Sequence, residues 1–253
     1  MDRRILELSK TSLILSVKDF LMPRVCAVCG RSLLVSERHL CLKCLGDLPR
    51  TLYENRLHNP MADMYNSRFA PGPYEPYQAA AALFFYSAVS TLSGNKYGRI
   101  PQELKYFRNF SVGRHFARML GEVLASSPVF RDVDAIIPVP LHWTRRLERG
   151  YNQSEVIARG IAEAFPAAVV DCRTLVRLRR THTQTRLHSA MAKAENVRGA
   201  FRARKTAPYR HVLIVDDVFT SGGTAAACHD ALRAVFGPEV RISVATLACI
   251  GSR

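Results

Sequence analysis

A chain of 253 residues, 48% of them apolar, is long enough for one α/β domain with a proper core plus an appendage. Lys and Arg outnumber Asp and Glu by 36 to 21, a formal charge of +15 that predicts polyanionic company. No stretch reaches the roughly 18 uninterrupted apolar residues of a membrane span, and Ile5 to Met22 carries Glu7, Lys10, Lys18 and Asp19 where a signal peptide has an uncharged core. A cytosolic protein is expected, its seven cysteines reduced or on metal.

The first segment, residues 1–24, reads as a helix. Leu6, Leu13, Ile14, Val17, Phe20 and Leu21 recur at helical spacing, and Met22-Pro23 closes the run. Packing against the core is the plain reading, and lying on a membrane surface is the other, opposed by the acids and bases both present.

Residues 25–50 hold Cys26-Ala-Val-Cys29 and, eleven residues on, Cys41-Leu-Lys-Cys44. Two such knuckles make a small zinc ribbon with four thiolates in a tetrahedral site, and Gly30 serves the first turn. So short a segment buries little apolar surface, so the metal would supply its stability, in a structural site with no open position. Disulfides, disfavoured by compartment, and chance spacing are the alternatives. His39 is read as a surface residue beside a complete ligand set.

Residues 51–78, with Pro60, Pro71, Gly72, Pro73 and Pro76, read as an irregular connector. The main domain, 79–253, then begins with the apolar run Ala79 to Tyr86, followed by an amphipathic segment from Gly113 to Leu124. Asp134 to Pro140 is a short buried strand ended by prolines. Arg145, Arg146 and Arg149 follow in its loop, then a helical pattern through Phe165; such a loop holds phosphate groups well, though a solvated basic turn would look the same. Leu175 to Phe201 is charged and polar, either a flap over a ligand or a plain surface loop. Cys172, Cys228 and Cys249 lack partner spacing and are expected as small buried residues.

The chemistry concentrates in Val212 to Thr224, Val-Leu-Ile-Val-Asp-Asp-Val-Phe-Thr-Ser-Gly-Gly-Thr. The apolar start is a buried strand, and Ala225 to Ala227 continue as a helix. Between them, Gly222 and Gly223 let the backbone turn and approach a ligand, while the helix aims its N–H groups and positive dipole end at it. Thr220, Ser221 and Thr224 add hydroxyls, so a phosphate is expected there. Asp216 and Asp217 would repel that phosphate and must face sugar hydroxyls or the water shell of Mg²⁺. A Walker A loop is excluded because no Lys precedes the last Thr. An ordinary strand-turn-helix unit is the bland alternative.

This segment resembles the phosphoribosyl pyrophosphate (PRPP) signature of type I phosphoribosyltransferases. With the double Cys-x-x-Cys, Leu104-Lys105-Tyr106, Ile137-Pro138-Val139-Pro140, Arg149-Gly150-Tyr151-Asn152-Gln153, Thr183-Gln184 and Asn196 with Ala200-Phe201, the chain is similar to the ComF family from residue 25 to about 250. Two departures stand out. Lys193 replaces the usual Arg three residues before the Asn, and Arg108 and Asn109 stand where a Gly typically follows Leu-Lys-Tyr.

The resemblance implies a type I phosphoribosyltransferase core, a mostly parallel sheet flanked by helices, binding PRPP with Mg²⁺. It places Asp216 and Asp217 on the ribose as the catalytic pair, Thr220 to Thr224 on the 5′-phosphate, and Lys105 with Arg145, Arg146 and Arg149 on the pyrophosphate. It also implies single-stranded DNA and competence-machinery proteins as partners, in the cytoplasm or recruited to the inner face of the membrane. No side chain in these motifs stands out as a general base. A pentosyltransferase of open acceptor and a catalytically silent PRPP-sensing or nucleic-acid-binding scaffold are both compatible, whereas a purely structural zinc adaptor is opposed by the intact Asp-Asp loop.

Overall fold

The computed structural model describes residues 24–69, 75–86, 96–106, 108–179, 199–204 and 207–251. The expected N-terminal helix, and most of the charged segment with Thr183, Gln184, Lys193 and Asn196, lie outside these residues.

Seven strands are described: β1 Ala80–Tyr86, β2 Ala135–Pro138, β3 Val169–Val170, β4 Leu175–Arg177, β5 Phe201–Ala203, β6 His211–Phe219 and β7 Arg241–Ile250. Five form one sheet in the order β1-β7-β6-β2-β3, every neighbouring pair parallel, while β4 and β5 form a separate antiparallel pair. The helices are α1 Leu42–Gly46, α2 Pro60–Asn66, α3 Arg99–Tyr106, α4 Phe110–Ala125, α5 Trp143–Arg149, α6 Gln153–Ala162 and α7 Gly223–Phe236. The fold is thus α/β, a parallel sheet flanked by helices, with a cysteine cluster near its N-terminal end.

The central strands are near-continuous apolar runs because both faces are covered. Leu213, Val215, Ala245 and Leu247 share a core with Phe116 and Leu120 of α4 and Ile157 and Ile161 of α6. Val212, Ile214, Ile242 and Val244 point the other way, into a core with Met61 and Tyr65 of α2 and Cys228 and Leu232 of α7. Leu213 and Ile214, adjacent in β6, serve opposite faces, as the period of two requires.

Several local expectations need correction. The stretch read as an irregular connector contains α2, capped by Asn59 with proline at its first position, and it buries Met61, Ala62 and Tyr65. Prolines there mark a helix start rather than loop throughout. Arg145, Arg146 and Arg149 sit on the short helix α5 rather than in a loop. Strand β6 runs on to Phe219, so its ladder with β7 extends past the two aspartates near its carboxyl end. Cys228 and Cys249 are buried as expected, but Cys172 is exposed. His39 is half-buried, its ring 4.9 Å from that of His115.

Strand order fixes where a ligand fits. From β2 the chain passes through α5 and α6 to β3 on one side, and from β6 through α7 to β7 on the other. The two connections diverge between β2 and β6, and in open parallel sheets such a divergence leaves a crevice beyond the strands' carboxyl ends.

Candidate functional site

The crevice is real. Strand β2 ends at Pro138, opposite Val215, while β6 continues beside β7 with Asp216 opposite Thr246 and Phe219 opposite Cys249. The vacated side of β6 opens on a cavity of about 310 Å³ lined by Lys105, Arg145, Arg149, Gln153, Asp216 and Asp217 and by Thr220, Gly222, Gly223 and Thr224.

Its floor is the turn into α7. Gly222 precedes this helix at φ +74, and a Cβ there would meet the Phe219 ring at 3.0 Å, so only glycine fits without strain. Among the described residues no side chain caps the 14-residue helix, and its first N–H groups have no acceptor within it, which leaves this end able to receive an anion. Ser221 is not among the lining residues; instead its carbonyl accepts a hydrogen bond from Arg68 Nε at 2.9 Å, tying the turn to the segment after α2.

The two aspartates differ in their partners. Asp217 Oδ2 lies 3.0 Å from Lys105 Nζ, and this carboxylate holds the lysine's pKa above its ordinary value. Asp216 Oδ1 accepts from Ser154 Oγ at 2.9 Å and from the Asp217 backbone N–H. Burial, seconded by the charge on Asp217, pushes its carboxyl up to about 7. A carboxyl that exchanges its proton near neutrality in an open cavity can act as an acid or base, a capacity the sequence did not reveal.

The opposite wall takes Arg149 and Gln153 from the stretch Arg149-Gly150-Tyr151-Asn152-Gln153, whose middle residues hold it in place. Gly150, at φ +78, closes α5 by donating its N–H to the Arg146 carbonyl. Tyr151 donates its hydroxyl to the Leu104 carbonyl, which holds α3 and hence Lys105 in place. Asn152 caps α6 by accepting from Ser154 N–H, and donates through Nδ2 to the Val139 carbonyl at 3.0 Å. Gln153 is 3% exposed, and among the described residues its Nε2 finds no hydrogen-bond acceptor. A buried donor left open on a cavity wall suits a ligand oxygen.

Of the expected phosphate-binding cations, Lys105, Arg145 and Arg149 reach the cavity, whereas Arg146 stays exposed, 3.8 Å from Glu155. Gln153 of the quoted motif and Arg177 of the candidate flap also line the cavity, together with Ser154. Ser154 and Arg68, which supports the turn, were not singled out, and only the position just after the Asn152 cap could have signalled Ser154. Arg108, where a glycine was expected, takes the left-handed φ of +53 and donates to the Arg149 carbonyl at 2.9 Å. That bond offsets part of the roughly 1 kcal/mol such a backbone costs a side chain with a Cβ.

The cysteine cluster forms a second centre. The Sγ atoms of Cys26, Cys29, Cys41 and Cys44 all lie within 4.8 Å of one another, and those of Cys29 and Cys41 are 3.8 Å apart. Thiolates around a tetrahedral metal at about 2.3 Å stand roughly 3.8 Å apart, so the four fit a metal ion such as zinc. The Cys44 N–H, 3.4 Å from Cys41 Sγ, is the main cause of a Cys41 pKa pulled down to about 6. Among the described residues no other group of His, Cys, Asp or Glu could hold an ion by itself, and no helix is long and apolar enough to cross a membrane.

The chain is therefore an α/β protein with a cavity lined by cations and a carboxylate pair at the divergence of its parallel sheet, and with a four-cysteine centre. No protein-family model matches the chain. It is 37% identical over 130 residues to the DNA utilization protein YhgH of Salmonella typhimurium, a match covering 50% of this chain and 56% of that relative. It is 30% identical over 147 residues to competence protein F of Haemophilus influenzae, covering 56% and 63%. With the YhgH protein of Shigella flexneri it shares 30% identity over 205 residues, 80% of this chain and 81% of that one. The chain belongs to the ComF family. Its matches to the first two relatives span less than two thirds of their lengths.

Proposed function

We propose that the chain is a type I phosphoribosyltransferase-like protein that binds PRPP with Mg²⁺ and handles single-stranded DNA. One observation carries the reading. The uncapped start of α7, the Asp216–Asp217 pair and four cations open on the same cavity, which matches the phosphate, the hydroxyls and the diphosphate of a doubly phosphorylated pentose.

On this reading the first turn of α7 with Thr220 and Thr224 takes the 5′-phosphate, and the aspartates accept from the ribose hydroxyls. Lys105, Arg145 and Arg149 neutralise the diphosphate, with Lys105 leaving Asp217 as the anion enters. Asp216 and Asp217 are the carboxylates that would hold Mg²⁺, a cation that usually keeps most of its water. When bound, it would supply charge neutralisation at the leaving group. Positive charge growing at the anomeric carbon is then stabilised by the carboxylates, and catalysis is largely positioning and electrostatics. The near-neutral Asp216 favours turnover over a silent scaffold, because it gives the cavity a proton acceptor. Release of pyrophosphate from PRPP in the presence of nucleobases or oligonucleotides tests this choice, and no release with any acceptor would leave a binding scaffold.

Arg68→Ala should weaken Mg-PRPP binding roughly ten-fold in calorimetry, since the hydrogen bond that fixes the turn is worth about 1.5 kcal/mol. An unchanged affinity would remove Arg68 from the site's support.

The relatives' names carry the DNA part of the reading, and the charge of +15 accords with it. We propose that the four cysteines hold a structural zinc and that the protein acts in DNA uptake in the cytoplasm. Affinity for single-stranded DNA should fall steeply as salt rises, the logarithmic slope counting about 0.7 per phosphate contact. A flat response in fluorescence anisotropy would sink the polyanion reading.

A further inference from the structure

We propose that the outward face of α5 is a docking surface for single-stranded DNA, with the ring of Trp143 as the platform on which an unpaired base stacks; this rests on the DNA part of the function above. Helix α5 buries none of its residues. It is held by its ends, where His142 caps the start and Gly150 the finish. A helix so exposed would ordinarily be polar outward, yet Trp143 is 65% exposed and Leu147, one turn on, 74%. The pair share one face of the helix, with Arg146 beside them. The other face belongs to the cavity, which Arg145 and Arg149 line. One short helix thus joins an aromatic platform to cations at the mouth of the site.

The chemistry selects the occupant. An aromatic plane with arginines on the same helix is the pairing that takes unpaired bases by stacking and their phosphates by charge. A duplex would offer no base face to Trp143, and a protein partner on an apolar helix face would gain little from Arg146 beside it.

Trp143 is the single tryptophan of the chain, so tryptophan emission, excited apart from the tyrosines, reports this face alone. Oligo(dT) titrated into the full chain is expected to quench that emission, whereas an abasic strand of equal length should bind more weakly and leave it unchanged. Trp143→Ala should lower oligo(dT) affinity roughly ten-fold, the loss of one base stack, while Trp143→Phe keeps most of it. Trp143 does not line the cavity, so Mg-PRPP affinity should be the same in both variants. Oligo(dT) binding equally to the chain and to Trp143→Ala, with steady emission, would overturn this surface and leave DNA binding elsewhere on the protein intact. No binding of oligo(dT) at low salt would remove the DNA reading and this proposal together, with the PRPP assignment judged separately by calorimetry.

Discussion

Asp216→Asn is expected to cut Mg-PRPP affinity on the order of 100-fold while the protein stays folded. The figure follows from losing the charge on two hydrogen bonds to ribose hydroxyls, each worth about 1.5 kcal/mol. Folding should not suffer, because the amide oxygen can still accept from Ser154 Oγ. The sign of the pKa shift points the same way. The folded state lifts this carboxyl from 3.8 to about 7, so ionised Asp216 costs stability above 3.8, fully so above about 7, and nothing below 3.8. An uncharged amide escapes that cost, and at neutral pH the variant should melt no lower than the parent. Ligand affinity has the opposite dependence. It should decline as the pH falls through about 7, when the acid becomes neutral, and the variant should lose this dependence. Calorimetry with Mg-PRPP across that range checks both, and an affinity untouched by the substitution removes the site assignment.

That separation of binding from folding reflects what the sequence could show. Val212 to Val215 announced a buried strand and Gly222-Gly223 a turn because those rules are local. The aspartates' position at a carboxyl end was legible for the same reason. The partners of Asp216 were not, since Ser154 lies 62 residues away and reaches it only because β2 and β6 are neighbours. Arg68 was hidden in a proline-rich stretch, and its contact with Ser221 spans 153 residues. The arginines of α5 were visible as charges, but their split into a cavity side and an outward side depends on helical phase, which a reading of them as a loop discards. The near-neutral pKa of Asp216 depends on burial and the charge on Asp217, and burial belongs to the fold, not the motif.

Removing the metal from the four-cysteine centre should disturb more than its own segment. Cys26, Cys41 and Cys44 belong to the same core as Leu48, Tyr97, Ile100 and Phe116, so the cluster is not a separate bead. Tyr97 donates its hydroxyl to the Cys44 carbonyl at 3.0 Å, just before α3 begins at Arg99, and α3 carries Lys105 into the cavity. Metal binding in such centres is worth about 10–16 kcal/mol in isolated zinc-finger peptides, comparable with the roughly 5–15 kcal/mol that holds a whole domain folded. Elemental analysis of gently prepared protein should therefore find about one zinc per chain, and chelation should lower the melting temperature sharply. Because the disturbance passes through Tyr97 to Lys105, Mg-PRPP affinity should drop along with it. Tyr97→Phe separates the two effects: it keeps the metal and the ring but drops the bond to Cys44, so zinc content should hold while PRPP binding weakens a few-fold, the worth of one neutral hydrogen bond at about 1 kcal/mol. Zinc-free protein with an unaltered melt would refute the structural role of the cysteines, and a Tyr97→Phe variant that binds as the parent does would uncouple them from the cavity.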